Sequence, residues 1–142
     1  MVCGVVPDEG LWVAVVVLDE VVDGGFEFLG GTVDAAAELA YIEERGYPIS
    51  YVEMGEEPDG QFMLPEDYAA LYLQWATALH KVDPKLKLGG PVFTGVNEDI
   101  QVWPDTVGHT SWLGRFVDYL KSHGRMADLT FVSFEHYPLA RG

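Results

Sequence analysis

Four short apolar runs alternate with three longer amphipathic stretches along the chain, and this order constrains the fold more than any other feature of the sequence. The runs begin near residues 12, 49, 86 and 129. Each run is short enough for a strand, and each intervening stretch is long enough for a helix. Alternation of this kind is typical of parallel strands joined by right-handed crossovers. The sequence therefore predicts an α/β fold with about four parallel strands and three helices, in a single domain over residues 1–142.

The first strand and the first helix are predicted from a β-branched run and from signals at the helix ends. Residues 11–18 form a nearly continuous apolar run, which suits a strand covered on both faces. A glycine-rich loop over residues 23–31 follows it. The helix is then expected to begin at a Thr32 cap and to stop at Gly46. Its predicted inner side consists of Val33, Ala36, Leu39 and Ala40.

The second and third helices have clearer ends. The second is predicted to begin at Pro65 and to end before Pro84, with a long apolar stripe formed by Tyr68, Leu71, Tyr72, Trp75, Ala78, Leu79 and Val82. The third is expected to be capped by Thr110 or Ser111, to stop at Gly124 and to bury Leu113, Phe116, Val117 and Leu120. Between them lie a brief strand at residues 86–88 and a long, turn-rich stretch over residues 92–109.

Composition excludes several classes of function. The chain is 49% apolar and 13% aromatic, which is enough to bury a core. Its Lys and Arg residues number 8 against 23 Asp and Glu residues, so the formal charge is -15, and neither nucleic acid nor a membrane surface is an expected partner. A single cysteine, Cys3, excludes an internal disulfide framework and thiolate metal clusters. No signal peptide or transmembrane segment is expected, and the sequence leaves the compartment undetermined.

Residues 51–60 place acidic side chains where a buried strand ends. Under the period-two alternation of a strand, Glu53 and Glu57 share one face, and the turn-forming residues 58–60 are predicted to end the strand just after Glu57. A glutamate at the carboxyl end of a strand is a candidate general acid or base. Glu53 is predicted to point inward, where it needs a hydrogen-bond partner. Asp59 is expected to be a turn former.

Three motifs in one order resemble a known family. Residues 51–60, YVEMGEEPDG, resemble the fourth-strand signature of clan A glycoside hydrolases, usually written W/Y-x-E-I-G-N-E-P. Residues 86–91, LKLGGP, resemble the fifth strand of the same barrels, and residues 132–138, VSFEHYP, resemble the end of the sixth, usually S-x-H-x-Y-P. The resemblance is closest to β-xylosidases, α-L-iduronidases and α-L-arabinofuranosidases. It implies a partial (β/α)8 TIM barrel that comprises the third to sixth βα units.

The resemblance also implies a chemistry. Retaining hydrolysis of O-glycosidic bonds in xyloside-type or arabinoside-type saccharides would use Glu57 as the acid/base and no cofactor. Glu56 stands where the family has a sugar-binding asparagine, and Glu135 where it has a histidine, with His136 beside it. The sugar-binding residues implied or predicted in this way are Glu56, Trp103, Glu135, His136 and Tyr137. The family's nucleophile is a glutamate at the end of a seventh strand, so the isolated chain is expected to be inactive.

Two other functions are compatible with the same residues. A non-catalytic module would hold carbohydrate on the flat faces of Trp103 and Tyr137. A divalent-metal enzyme would instead gather oxygen and nitrogen ligands at the same sheet edge, from Glu53, Glu57, Asp59, Glu135 and His136. The expected partner is a carbohydrate substrate. Self-association through exposed barrel edges is also predicted, because a partial barrel leaves strand edges and faces uncovered.

Overall fold

A computed structural model describes residues 2–6, 11–16, 28–47, 49, 51–55, 57–95 and 99–134 of the chain. Five strands, three α-helices and one short 3-10 helix follow one another along it. In chain order they are β1 (Val2–Val6), β2 (Leu11–Val16), α1 (Phe28–Glu44), β3 (Tyr51–Met54), α2 (Pro65–Val82), β4 (Lys87–Phe93), α3 (Trp112–Ser122), the 3-10 helix (Met126–Asp128) and β5 (Phe131–Phe134). The fold is therefore α/β.

The strands form one sheet in which spatial order follows chain order, from β1 to β5. Strands β2, β3, β4 and β5 run parallel, and the registers place Tyr51 opposite both Val13 and Lys87. The prediction of about four parallel strands and three helices is confirmed. Strand β1 was not predicted, and it pairs with β2 in the antiparallel direction. In the part of the chain that the structure describes, no helix is long and apolar enough to cross a membrane.

All three helices contribute to one apolar cluster on one face of the sheet. Its buried members come from α1, β3, α2, β4 and α3, and include Ala35, Leu39, Val52, Met54, Tyr68, Tyr72, Trp75, Leu88, Phe93, Trp112, Phe116 and Leu120. The aromatic rings interlock, with Tyr68 and Phe116 centroids 5.2 Å apart and Phe93 and Trp112 centroids 5.3 Å apart. This cluster anchors the strands whose carboxyl ends carry the candidate site.

Helix α1 begins earlier than the sequence predicted. It starts at Phe28, so Thr32 lies inside the helix instead of capping it, and the prediction of a loop through residue 31 was wrong. The inner side is set by Ala35 and Leu39, which are buried. Val33 is 67% exposed, because a position two residues before Ala35 is rotated by about 200° around the helix. The stop at Gly46 is confirmed by its left-handed φ of 69°.

Helices α2 and α3 are largely as predicted. Helix α2 starts at Pro65 with two acidic residues in its first turn. Helix α3 is capped by Ser111, whose Oγ accepts a hydrogen bond from the Gly114 N–H at 2.9 Å. Leu113 and Val117 are only half-buried, and Arg115 is buried beside Trp112 instead. The brief strand predicted at residues 86–88 is longer, because β4 continues to Phe93.

Candidate functional site

Glu57 lies in the loop that follows β3, at the carboxyl end of that strand. Its N–H donates to the Val92 carbonyl oxygen at 2.9 Å, and its own carbonyl oxygen accepts from the Gln61 N–H at 3.0 Å. The strand itself ends at Met54, three residues earlier than predicted. Gly55 has φ 83° and Glu57 has φ 47°, so the strand alternation does not continue to Glu57. The loop backbone, and not the strand pleat, therefore fixes this glutamate beside β4.

Two glycines and a buried tyrosine shape the backbone beneath Glu57. The Tyr68 hydroxyl donates to the Met54 carbonyl oxygen, where β3 ends. A Cβ on Gly55 would lie 2.9 Å from Tyr68 Cε2, and one on Gly90 would lie 2.6 Å from the Met54 carbonyl oxygen. Both glycines also have positive φ. Burial raises the pKa of Tyr68, so its hydroxyl remains a donor at every physiological pH.

Asp59 joins the ends of β3 and β4. It lies in the predicted turn, and its Oδ2 accepts from the Thr94 Oγ1 at 2.6 Å. The Thr94 N–H also points to this carboxylate, at 3.4 Å from each oxygen. Gly60 leaves space for the contact, since a Cβ there would lie 2.9 Å from Thr94 Cγ2. Asp59 is thus more than the turn former that the sequence predicted.

A groove of about 530 Å³ lies beside Asp59, between the loop after β3 and the loop after β4. It is lined by Asp59, Phe62, Met63, Leu64, Ile100, Gln101, Val102, Trp103 and Pro104. Phe62 is 93% exposed and Trp103 is 87% exposed. We call this feature the aromatic groove. Sequence reasoning found Trp103 but missed Phe62, which has no motif around it to distinguish it from an ordinary loop residue.

An ion pair between a buried arginine and a half-buried glutamate holds the Trp103 backbone. Arg115 donates from Nε and Nη2 to the two carboxylate oxygens of Glu66, at 2.7 and 2.6 Å. Its Nη1 donates to the Trp103 carbonyl oxygen at 2.7 Å. The hydrogen bond from Arg115 lowers the pKa of Glu66, so the carboxylate stays ionised. Sequence reasoning missed Arg115, although its position three residues after Trp112 is on the inner side of α3.

The sheet face opposite the helices carries polar and aromatic side chains. Glu53 is buried at 8% exposure and accepts a hydrogen bond from the Ser133 hydroxyl on β5, so its predicted inward direction and need for a partner are confirmed. Tyr51 and Phe131 rings meet edge to face at 5.7 Å. Gly89 on β4 makes room for the Phe131 ring, because a Cβ there would run into it. We call this the open face.

The structure brings some of the predicted site residues to one edge and does not describe others. Glu57 and Asp59 follow β3, and Trp103 follows β4, all at the carboxyl end of the parallel strands. Glu56, Glu135, His136 and Tyr137 lie outside the described residues. Within the described ranges, no group of three or more His, Cys, Asp or Glu residues is placed to hold a metal ion. Of the proposed metal ligands, only Glu53, Glu57 and Asp59 belong to those ranges.

Together the fold and the site define an α/β protein with acidic and aromatic side chains at the carboxyl edge of a parallel sheet. No protein-family model matches the chain, and no curated protein shows significant similarity to it. Any more specific assignment therefore depends on the motifs of the chain and on the geometry of its described residues.

Proposed function

We propose that this chain is part of a (β/α)8-barrel glycoside hydrolase that cleaves xyloside-type or arabinoside-type bonds with retention, and that Glu57 is its acid/base. The observation that carries the proposal is the position of Glu57. Its motif resembles the acid/base motif of clan A enzymes, and its backbone is hydrogen-bonded to β4 at the carboxyl end of the sheet. Active sites of (β/α)8 barrels are built at this end, from the loops that follow the strands.

Sheet topology supports a barrel over a doubly wound sheet. Doubly wound sheets reverse their strand order at one point and carry helices on both faces. Here the strand order follows the chain and the three helices share one apolar cluster. The open face carries Tyr51, Glu53, Phe131 and Ser133, as the interior of a barrel would. The antiparallel strand β1 departs from the parallel barrel pattern, and it occupies the sheet edge next to β2.

The proposed reaction needs two carboxyl groups about 5–5.5 Å apart across the glycosidic bond. Glu57 first protonates the leaving oxygen while a second carboxylate attacks the anomeric carbon and forms a glycosyl-enzyme ester. Glu57 then removes a proton from water, which displaces the carboxylate from the sugar. The resemblance assigns that second carboxylate to a seventh strand. Glu57 supplies the proton-transfer half of this chemistry.

An affinity label tests the role of Glu57 without any need for turnover. N-bromoacetyl β-D-xylosylamine carries an electrophile where the leaving group would be, so a carboxylate that faces that position displaces bromide and forms an ester. Mass spectrometry of the purified chain should locate one label on Glu57. Excess xylobiose should slow the labelling, and Glu57→Gln should abolish it. Labels spread over many surface carboxylates, with no protection by xylobiose, would overturn the assignment.

Kinetics provide the second test. In a polypeptide that contains the seventh-strand carboxylate, Glu57→Gln should lower kcat/KM for unactivated xylosides by about 10²–10⁴-fold, which is the usual contribution of a general acid. Asp67→Asn is the control, since it removes an exposed carboxylate in the first turn of α2 that belongs to neither the site nor the groove. An unchanged rate for Glu57→Gln would remove Glu57 from the mechanism.

A carbohydrate-binding module without chemistry is the second candidate, and the aromatic groove favours it. Such a module would bind xylo-oligosaccharides or arabino-oligosaccharides, while the bromoacetyl label would show no preference for Glu57. The divalent-metal enzyme is a third candidate, but among the described residues Glu53, Glu57 and Asp59 do not form a group that could hold a metal ion. A rise in melting temperature on titration with magnesium or manganese would support it, and no change would count against it.

A further inference from the structure

The two most exposed aromatic side chains among the described residues line the same groove. Phe62 and Trp103 come from different loops, after β3 and after β4, yet both line the aromatic groove. Large aromatic side chains dominate cores and interfaces because they gain most from burial. Two of them exposed on one concave surface indicate a site that is covered when a ligand binds.

The backbone of the groove is held in place. Phe62 has φ 60°, a conformation that is costly for a bulky residue. Both backbone polar groups of its neighbour Met63 are hydrogen-bonded. The Met63 N–H donates to the Pro58 carbonyl oxygen at 2.9 Å, and its carbonyl oxygen accepts from Trp112 Nε1 at 2.9 Å. On the opposite side, Arg115 holds the Trp103 carbonyl oxygen. Both aromatic positions are thus organised before any ligand arrives.

The polar groups of the groove suit a neutral ligand that is rich in hydroxyl groups. Asp59 is fixed by Thr94. Gln101 is fixed on both ends of its amide, since Nε2 donates to Asp99 Oδ2 at 3.0 Å and Oε1 accepts from Thr110 Oγ1 at 2.5 Å. Among the described residues, no positively charged side chain belongs to the lining of this groove. Together with the formal charge of -15, this disfavours anionic ligands.

We propose that the aromatic groove is a sugar subsite, in which Phe62 and Trp103 contact the faces of a pentose ring while Asp59 and Gln101 bind its hydroxyl groups. This inference rests on the proposed glycosidase function and extends it, because it makes the substrate an oligosaccharide and not a simple glycoside. A volume of about 530 Å³ lies within the range of pockets that hold small molecules. Asp59 is two residues from Glu57, so the subsite adjoins the proposed acid/base.

Calorimetric titration of the 142-residue chain with xylohexaose and with 1,5-linked arabinohexaose tests the subsite. The Glu57→Gln variant is used, so that binding is measured without turnover. We expect one of the two saccharides to bind, and Trp103→Ala and Phe62→Ala each to weaken binding about tenfold, the loss expected from one aromatic contact. Val107→Ala is the control, because Val107 is exposed in the same loop as Trp103 but does not line the groove.

Acrylamide quenching of tryptophan fluorescence gives an independent measurement. Of the tryptophans whose exposure the structure describes, Trp75 and Trp112 are buried and Trp103 is exposed. The saccharide should therefore protect Trp103 from quenching, and Trp103→Phe should abolish that protection. Equal affinities for the Trp103, Phe62 and Val107 variants would overturn the subsite. So would a groove that binds only a second copy of the chain, seen as saccharide-independent dimerisation that Trp103→Ala abolishes.

The subsite and the proposed catalytic role can fail separately. If Glu57 is labelled by N-bromoacetyl β-D-xylosylamine but the groove variants bind saccharide normally, only the subsite proposal is wrong. If the groove variants lose saccharide binding but the reagent does not react with Glu57, the acid/base assignment is wrong and the groove is a binding site independent of it.

Discussion

At the scale of single residues, two ion pairs of helix α3 show how burial changes the contribution of an ion pair to stability. Lys121 and Asp118 lie 3.3 Å apart with both side chains more than half exposed. Pairs of this kind contribute about 0–1 kcal/mol. Arg115 and Glu66 form a bidentate ion pair with two hydrogen bonds, and the arginine is buried. Removal of one partner from such a pair is costly because the other charge stays behind.

Protonation of Glu66 at low pH should lower the free energy of unfolding. A carboxyl group whose folded pKa is lowered contributes stability that is complete above its unfolded pKa and is lost as pH falls through the folded pKa. The hydrogen bond from Arg115 lowers the pKa of Glu66 from 4.5, so the loss belongs below about pH 4.5. We expect Glu66→Gln to cost about 1 kcal/mol at pH 7, a value discounted because the Glu66 side chain is 38% exposed.

Urea unfolding from pH 7 to pH 3 measures this effect. The free energy of unfolding should fall less steeply with acid in Glu66→Gln than in the parent chain. In an Arg115→Met background the same substitution should no longer change the slope, because the cause of the pKa shift is gone. An unchanged slope in the single variant would show that the ion pair is not formed in solution.

At the scale of elements, the sequence predicts helices better than strand ends. Pro65, Ser111 and the glycines at positions 46 and 124 are local signals, and each lies where the structure places a helix end. The end of β3 was misplaced because a period-two pattern cannot reveal that Gly55 adopts φ 83°. Nor can it reveal that Gly55 lies against the ring of Tyr68, which is 13 residues away in sequence. Strand β1 depends on pairing with β2, a non-local contact.

Gly90 should be the most sensitive glycine of the sheet. It combines φ 105° with a Cβ position 2.6 Å from the Met54 carbonyl oxygen, which is backbone and cannot move aside. We expect Gly90→Ala to lower the free energy of unfolding by more than about 3 kcal/mol, since backbone strain of about 1–3 kcal/mol adds to displacement of β3. Gly46→Ala is the matched control, because Gly46 has φ 69° but open space around it.

The two variants are compared by urea unfolding at one pH. Gly46→Ala should cost only the strain of the left-handed conformation, about 1–2 kcal/mol. Equal losses for both variants would mean that the junction of β3 and β4 tolerates a side chain. That result would weaken the claim that this junction fixes the Glu57 loop.

At the scale of the whole molecule, the sequence predicts the order of elements because the signals that define each βα unit are close together in sequence. The parallel sheet follows from that order, and the acidic edge follows from where β3 ends. The groove could not be predicted, since Phe62 and Trp103 are far apart in sequence and only the packing of α2 against α3 brings their loops together. The role of Arg115 could not be predicted for the same reason, because its partner Glu66 lies in the first turn of α2.

The outer face of β5 supports the prediction of self-association. Val132 and Phe134 point to the side of the sheet that the helices cover elsewhere, and Phe134 is 57% exposed. Among the described residues, no strand pairs with the far edge of β5. Exposed apolar side chains on an unpaired edge strand favour association between copies. The charge of -15 opposes it, so salt should strengthen association by screening the repulsion.

Sedimentation velocity over a concentration series, at low and at high salt, tests this expectation. We expect the 142-residue chain to form larger species as concentration rises, and more of them at high salt. A double variant, Val132→Ser with Phe134→Ser, should shift the distribution toward monomer. Tyr47→Ser, which alters an exposed aromatic residue after α1, should leave it unchanged. A single monomeric boundary at every concentration and salt would contradict the prediction and would mean that β5 needs no covering element.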